Sequence, residues 1–196
     1  KTYSVDSENL RDITANENVL LVLTNDGIYQ IDKKGSSGKR IIENTKLSSI
    51  DVFGSNIYAS ESRDIKKYGG EEFGESSYFK TPPSFSSDIS DFTIDGSVWV
   101  IEKNGTIHKF IRGEKQDFSV KNIPSPIGKN PQIYTGEGIE SLYILDSERR
   151  RIVVLSKEGV YKYAHNISSL TPTSFAVDEK LIYIVSKNQL YSFNIK

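Results

Sequence analysis

The chain contains no cysteine. Disulfides, thiolate metal sites and cysteine nucleophiles are therefore excluded, and a reducing compartment suits the sequence as well as an exported bacterial domain built without disulfides. Its two histidines, His108 and His165, are too few for a histidine-rich metal site within one chain. Methionine is absent as well, so the sequence reads as an excised or processed segment of a longer polypeptide. No apolar run approaches the roughly 20 residues that a helix needs to cross a bilayer. The sequence carries no signal-peptide pattern, so any anchor or export signal is expected outside these residues. The 25 basic and 26 acidic residues leave a net charge of -1, which gives no single-sign field to attract nucleic acid or an anionic membrane surface. There is no HExxH, and "GKR" (38–40) lacks the upstream glycine of a phosphate loop. No cofactor and no metal site are expected.

What is present points to sheet. Tyrosine (11) and phenylalanine (9) are plentiful, and aromatic and β-branched residues favour a pleated, half-buried surface. The stretch "DFTIDGSVWVIEKNGTIHKF" (91–110) alternates apolar and polar residues in three runs, separated by Asp95-Gly96 and Asn104-Gly105. Both dipeptides are type I′ hairpin signals. The same phrase recurs as "DITANENVLLVLTNDGIYQI" (12–31), "SIDVFGSNIYASESRDIKKY" (49–68), "QIYTGEGIESLYILDSERRRIVVL" (132–155) and "SFAVDEKLIYIVSKNQLYSF" (174–193). Aligning the second strands places Leu21, Tyr58, Trp99, Tyr143 and Tyr183 at one repeat position, roughly 40 residues apart, the period of propeller blades. A helical repeat would need apolar spacings of 3 and 4, whereas the spacing here is 2 in every copy. A β-sandwich has short strands and turns too, but does not account for five copies of one phrase. The sequence therefore predicts an all-β, five-bladed β-propeller with four-stranded antiparallel blades. The shared aromatic position is read as inter-blade core. His108, alternating with Ile107, is read as exposed.

Outer strands are available in four repeats: "GKRIIEN" (38–44), "GESSYFKT" (74–81), "KQDFSVKN" (115–122) and "GVYKYAHN" (159–166). The fifth repeat stops at its third strand. "KTYSV" at the start has the pattern of "QDFSV", so residues 2–5 are expected to complete the last blade and close the ring, which removes exposed sheet edges. A larger propeller lacking some blades is the alternative. The predicted blades are 11–45, 47–82, 88–122, 130–167 and 172–196 with 1–6, all in a single domain.

The fourth blade, "DSERRRIVVLSKEGVYKY", resembles the NHL-type repeat: a polar turn, an Arg-Ile-x-Val core and a glycine-containing turn into the last strand. The third blade, "GSVWVIEKNGTIHKFIRGEKQDF", is similar to propeller segments of large bacterial membrane-associated proteins, some joined to phosphatase-like domains. The resemblance implies a propeller that recognises a partner, in the extracytoplasmic part of such a protein. It implies no activity, since function resides in sites rather than folds.

Propeller ligands are expected at the channel mouth, lined by the loops between blades and by the turns joining second and third strands. The inner strands offer Asp12, Asp51 and Asp91, and Asp88 lies in a loop just before one of them. Paired carboxylates across a channel are the machinery of glycosidases, which makes a lectin or glycan-processing module the alternative function. The loop "TPPSFSSDIS" (81–90) is stiffened by Pro82-Pro83 and offers Phe85 as an apolar rim element. The turns contribute Arg63 and the run Arg149-Arg150-Arg151, in which Arg149 and Arg151 suit bidentate capture of a carboxylate or phosphate. Asp146 and Glu148 are placed to neutralise that run. The leading expectation is a non-catalytic, monomeric binding module for a protein or small-molecule ligand, with no nucleic acid and no membrane contact. Pure structural spacing is the third reading.

Overall fold

The computed structural model describes residues 5, 9–16, 19–31, 37–70 and 72–195. The chain is an all-β, five-bladed β-propeller of antiparallel meander sheets. Blade 1 comprises Asp12–Ala15 (β1), Leu20–Leu23 (β2), Gly27–Ile31 (β3) and Gly38–Glu43 (β4). Blade 2 comprises Ser49–Phe53 (β5), Asn56–Glu61 (β6), Asp64–Gly69 (β7) and Gly74–Ser77 (β8). Blade 3 comprises Ile89–Ile94 (β9), Val98–Glu102 (β10), Ile107–Ile111 (β11) and Glu114–Lys115 (β12). Blade 4 comprises Gln132–Tyr134 (β13), Ser141–Asp146 (β14), Arg151–Ser156 (β15) and Tyr161–Asn166 (β16). Blade 5 has three strands among the described residues: Pro172–Val177 (β17), Leu181–Ser186 (β18) and Gln189–Asn194 (β19). The strand expected to close it, residues 2–5, lies outside the described residues apart from Val5. Two compact units are formed: residues 1–83 carry blades 1 and 2, and residues 84–196 carry blades 3 to 5.

A blade sandwiched between two others buries both faces, so period-2 alternation sorts residues between neighbours rather than between core and solvent. Every residue of β14 is buried. Leu142 and Ile144 join Trp99 and Ile101 in the core between blades 3 and 4. Tyr143 and Leu145 join Ile182 and Ile184 between blades 4 and 5. In the other unit, Leu21, Leu23 and Ile28 pack on Ile50, Ile57 and Tyr68. The shared aromatic position is core in three blades, where Tyr58, Trp99 and Tyr143 are buried, but in blade 5 Tyr183 is only half-buried and turns its hydroxyl to Asp178 at the surface.

Three local expectations are corrected. His108 is buried, because the side of β11 that it occupies is covered by Phe85 rather than by water. The two dipeptides do not form type I′ turns, because Gly96 and Gly105 take positive φ while Asp95 and Asn104 do not. Among the described residues, the two-residue turns with both angles positive are Arg112-Gly113 and Lys187-Asn188. Finally, the outer strand of blade 3 is only β12. After Gln116 donates to the Lys109 carbonyl at 2.8 Å, the chain leaves for blade 4. There Lys121 N–H donates to the Gly159 carbonyl (2.8 Å) and Tyr161 N–H donates to the Lys121 carbonyl (3.0 Å). This detour lays Phe118 edge-on against Trp99, with ring centres 5.2 Å apart. It also requires glycine at 159, where φ is +85° and a Cβ would sit 2.1 Å from the Ser119 carbonyl oxygen.

Candidate functional site

The second strand of each blade ends at a polar residue or, in blade 1, is followed at once by one. Thr24, Glu102, Asp146 and Ser186 are buried, and Glu61 is half-buried. Buried polar atoms need partners; in blades 2, 3 and 5 the loop entering the same blade supplies them, and in blade 4 Arg151 links the buried group to that loop. In blade 3, Glu102 accepts from Ser86 Oγ (2.9 Å) and Ser87 N–H, and lies 2.7 Å from His108 Nε2. Burial pushes the Glu102 carboxyl up, but His108, Ser87 and Ser86 outweigh it and hold the group below its ordinary value. In blade 4, Asp146 accepts from Arg151 Nε at 2.9 Å. The other Arg151 nitrogens donate to Ser125 Oγ (2.6 Å) and to the carbonyls of Ser125 (3.0 Å) and Pro126 (2.7 Å). In blade 5, Ser186 Oγ donates to the Thr171 carbonyl (2.9 Å) and accepts its N–H (3.0 Å). In blade 2, Glu61 meets Asn44 Nδ2 at 3.5 Å and Lys46 Nζ at 4.0 Å. Blade 1 differs: Thr24 bonds within its own turn, to Asp26 and the Gly27 carbonyl. There Arg11 ties the turn to the next loop through Asn25 Oδ1 (2.8 Å) and the Leu47 carbonyl (2.7 Å). Loops held in this way are ordered before any partner arrives, which lowers the entropic cost of binding.

The inner strands are stapled to one another. Asp12 and Asp91 occupy the same repeat position, and each accepts an N–H from the next blade: Ile50 at 2.8 Å and Ile133 at 3.0 Å. Gln132, at that position in blade 4, donates to the Thr173 carbonyl at 3.1 Å. Asp51 sits two residues further along the repeat, where it accepts Thr14 Oγ1 at 3.0 Å and the Val52 N–H at 2.8 Å. Burial pushes Asp12 up to about 6, against the lowering effect of the Ile50 and Ile13 N–H groups and with a further push from the Asp51 charge. The native chain therefore binds this proton more tightly than the unfolded one. The stabilisation is complete below the unfolded value of 3.8 and is lost as pH rises through about 6. The shift corresponds to at most roughly 3 kcal/mol. Asp12→Asn should flatten the dependence of the urea midpoint on pH between 4 and 7. A variant profile parallel to wild type would clear Asp12 of that role.

The remaining sequence-predicted residues separate by exposure. Asp88 lies 3.2 Å from Lys103 Nζ at the surface. Arg63 is exposed in the turn between β6 and β7. Arg149 and Arg151 converge on Asp146. Arg149 approaches it at 4.0 Å with its side chain 36% exposed, whereas Arg151 is 14% exposed with its donors engaged. Glu148 is engaged too, accepting the Lys129 N–H at 2.6 Å. Phe85 is a correction: it is buried, edge-on to His108 (5.2 Å) and Phe110 (6.1 Å), because the stiffened loop turns it inward rather than onto a rim. The buried Glu102–His108 pair is a feature that sequence reasoning missed. A glutamate closing an apolar strand, with a histidine six residues on, is the signal that was present. Among the described residues, no cluster of three or more histidine or carboxylate groups is placed to hold a metal ion.

No family model and no curated protein matches the chain. Solved structures do. A streptogramin B lyase superposes with a TM-score of 0.65 at 15% identity, over 99% of this chain and 71% of its own. A protein of unknown function from Bacteroides thetaiotaomicron gives 0.72 at 14% identity, over 92% of this chain and 53% of its own. The extracellular domain of a putative hybrid two-component system from the same organism gives 0.63 at 19% identity, over 96% of this chain and 29% of its own. The likeness at these identities is one of fold. The fold is similar to domains found within larger bacterial proteins.

Proposed function

We propose that this chain is a non-catalytic recognition module of a larger, extracytoplasmic bacterial polypeptide, and that it binds a protein or small ligand at the end of its blades where the entering loops and the second-to-third-strand turns lie. The observation that carries the reading is the set of polar locks at the second-strand ends. They order the loops while leaving Lys129, Arg149 and Asn104 on the surface. The inner-strand carboxylates support it as well. Asp12 and Asp91 each give an oxygen to a neighbouring blade's N–H, which favours a structural use over acid–base chemistry. The occurrence of this fold as an extracellular sensor domain supports the location.

A photo-crosslinking residue at Lys129, on the loop-bearing end, tests this in cells of the source organism. A matched variant at Glu158, on the opposite end of blade 4, is the control. Adducts from position 129 and none from 158 are expected, and equal labelling would sink the reading. Glycoside hydrolysis lost in both Asp12→Asn and Asp91→Asn would replace it with the glycan-processing alternative.

A further inference from the structure

At the far end of blades 4 and 5, away from those loops, a cavity of about 430 Å³ lies between the two blades. Its lining comes from the turns joining first and second strands, from the starts of β14 and β16 and from Ile195 just after β19, so it owes nothing to the loop-bearing end. One wall is made of donors. Lys162 Nζ is fixed at 3.0 Å from Ser141 Oγ, which engages one of its three N–H groups and leaves two. Among the described residues no carboxylate pairs with this ammonium within 4 Å. Tyr143 and Tyr163 stand beside it. Burial first, and then the Tyr163 hydroxyl, pushes Tyr143 up to about 12, so it stays a neutral donor at physiological pH.

The rim opposite in charge is formed by Glu140 and Glu179, one from each blade. Both are exposed, and neither forms an ion pair among the described residues. Asp178 is different: its oxygens already take the N–H groups of Lys180 (2.7 Å) and Leu181 (2.6 Å) and the Tyr183 hydroxyl (2.8 Å). Ile139 and Ile195 supply apolar wall. A fixed ammonium with hydroxyl donors suits a carboxylate, and free carboxylates on the rim suit an amine. The volume is within the range of small-molecule sites.

We propose that this cavity binds a small zwitterion, a free amino acid or a short peptide with both termini unblocked, its carboxylate on Lys162, Ser141 and Tyr163 and its ammonium on Glu140 and Glu179. The site is separate from the loop-bearing surface, so either proposal can fail alone.

Isothermal titration calorimetry of the intact chain with L-leucine and L-alanyl-L-alanine tests it, alongside the N-acetylated and C-amidated dipeptides. Saturable binding of at least one free zwitterion is expected, with each blocked dipeptide at least 10-fold weaker than the free one. Lys162→Ala and the double variant Glu140→Gln/Glu179→Gln should each lose at least 10-fold. These side chains are at the surface, so circular dichroism should report an unchanged fold. Arg149→Ala, on the loop-bearing end, should bind as wild type does. No saturable heat with any free ligand, equal binding of blocked and free dipeptides, or an indifferent Lys162→Ala would each overturn the proposal.

Discussion

Replacing Trp99 with alanine should cost about 3–5 kcal/mol, the range for truncating a large buried aromatic. Trp99 is fully buried between blades 3 and 4, with Phe118 against its edge and Lys109 Nζ 4.7 Å from the ring centre. The indole N–H donates to Asp95 Oδ1 at 3.0 Å. Losing that bond is the smaller part of the effect, because Asp95 keeps the Ser97 N–H (3.0 Å) and Lys157 (2.5 Å). The loss is therefore one of packing, and Trp99→Phe should recover much of it. Trp99 is the only tryptophan, so urea unfolding must be followed by far-ultraviolet circular dichroism rather than by its fluorescence. A cost below about 1 kcal/mol would mean that the seam closes over the gap. Against a typical total stability of about 5–15 kcal/mol, the expected loss leaves the chain near the edge of folding.

Asp146→Ala is the second large effect, and its cause is electrostatic. The carboxylate is fully buried, and it balances Arg151 while also accepting the Arg149 N–H at 3.2 Å. Removing one member of a buried pair strands the other, at about 3–5 kcal/mol. Arg151 would keep its carbonyl partners but lose its counter-charge. Asp146→Leu combined with Arg151→Met should therefore be less harmful than Asp146→Ala alone, since no charge stays behind. The two variants differ in a further readout. Only the double variant removes the Arg151 donors that hold Ser125 and Pro126, so trypsin should cut after Lys129 faster in it than in Asp146→Ala or wild type. Equally slow cleavage in the double variant would show that the loop is held by something other than Arg151.

The five sheets were legible because each repeat carries its own turn residues and its own alternation. The side that each residue faces was not. Ile107 and His108 alternate as core and surface residues would, yet both are buried, Ile107 against blade 4 and His108 beneath Phe85 of the loop entering its own blade. "QDFSV" has a strand's pattern, and what diverts it is the edge of Trp99 together with the room at Gly159, neither of which is local to it. The inner-strand acids show the same limit. Their repeat position was readable, but the N–H groups of Ile50 and Ile133 that engage them come from other blades. Arg149 and Arg151 looked alike in sequence. The Ser125 and Pro126 carbonyls single out Arg151 as structural and leave Arg149 at the surface.

The detour after β12 has a consequence for modularity. The segment around Ser119 and Lys121 is encoded in the third repeat, yet its backbone is hydrogen-bonded into the fourth. The unit of duplication and the unit of cohesion therefore do not coincide across this seam. A third repeat grafted into another propeller would bring along a stretch of chain with nowhere to dock, unless the recipient's next blade also had a glycine where this one has Gly159.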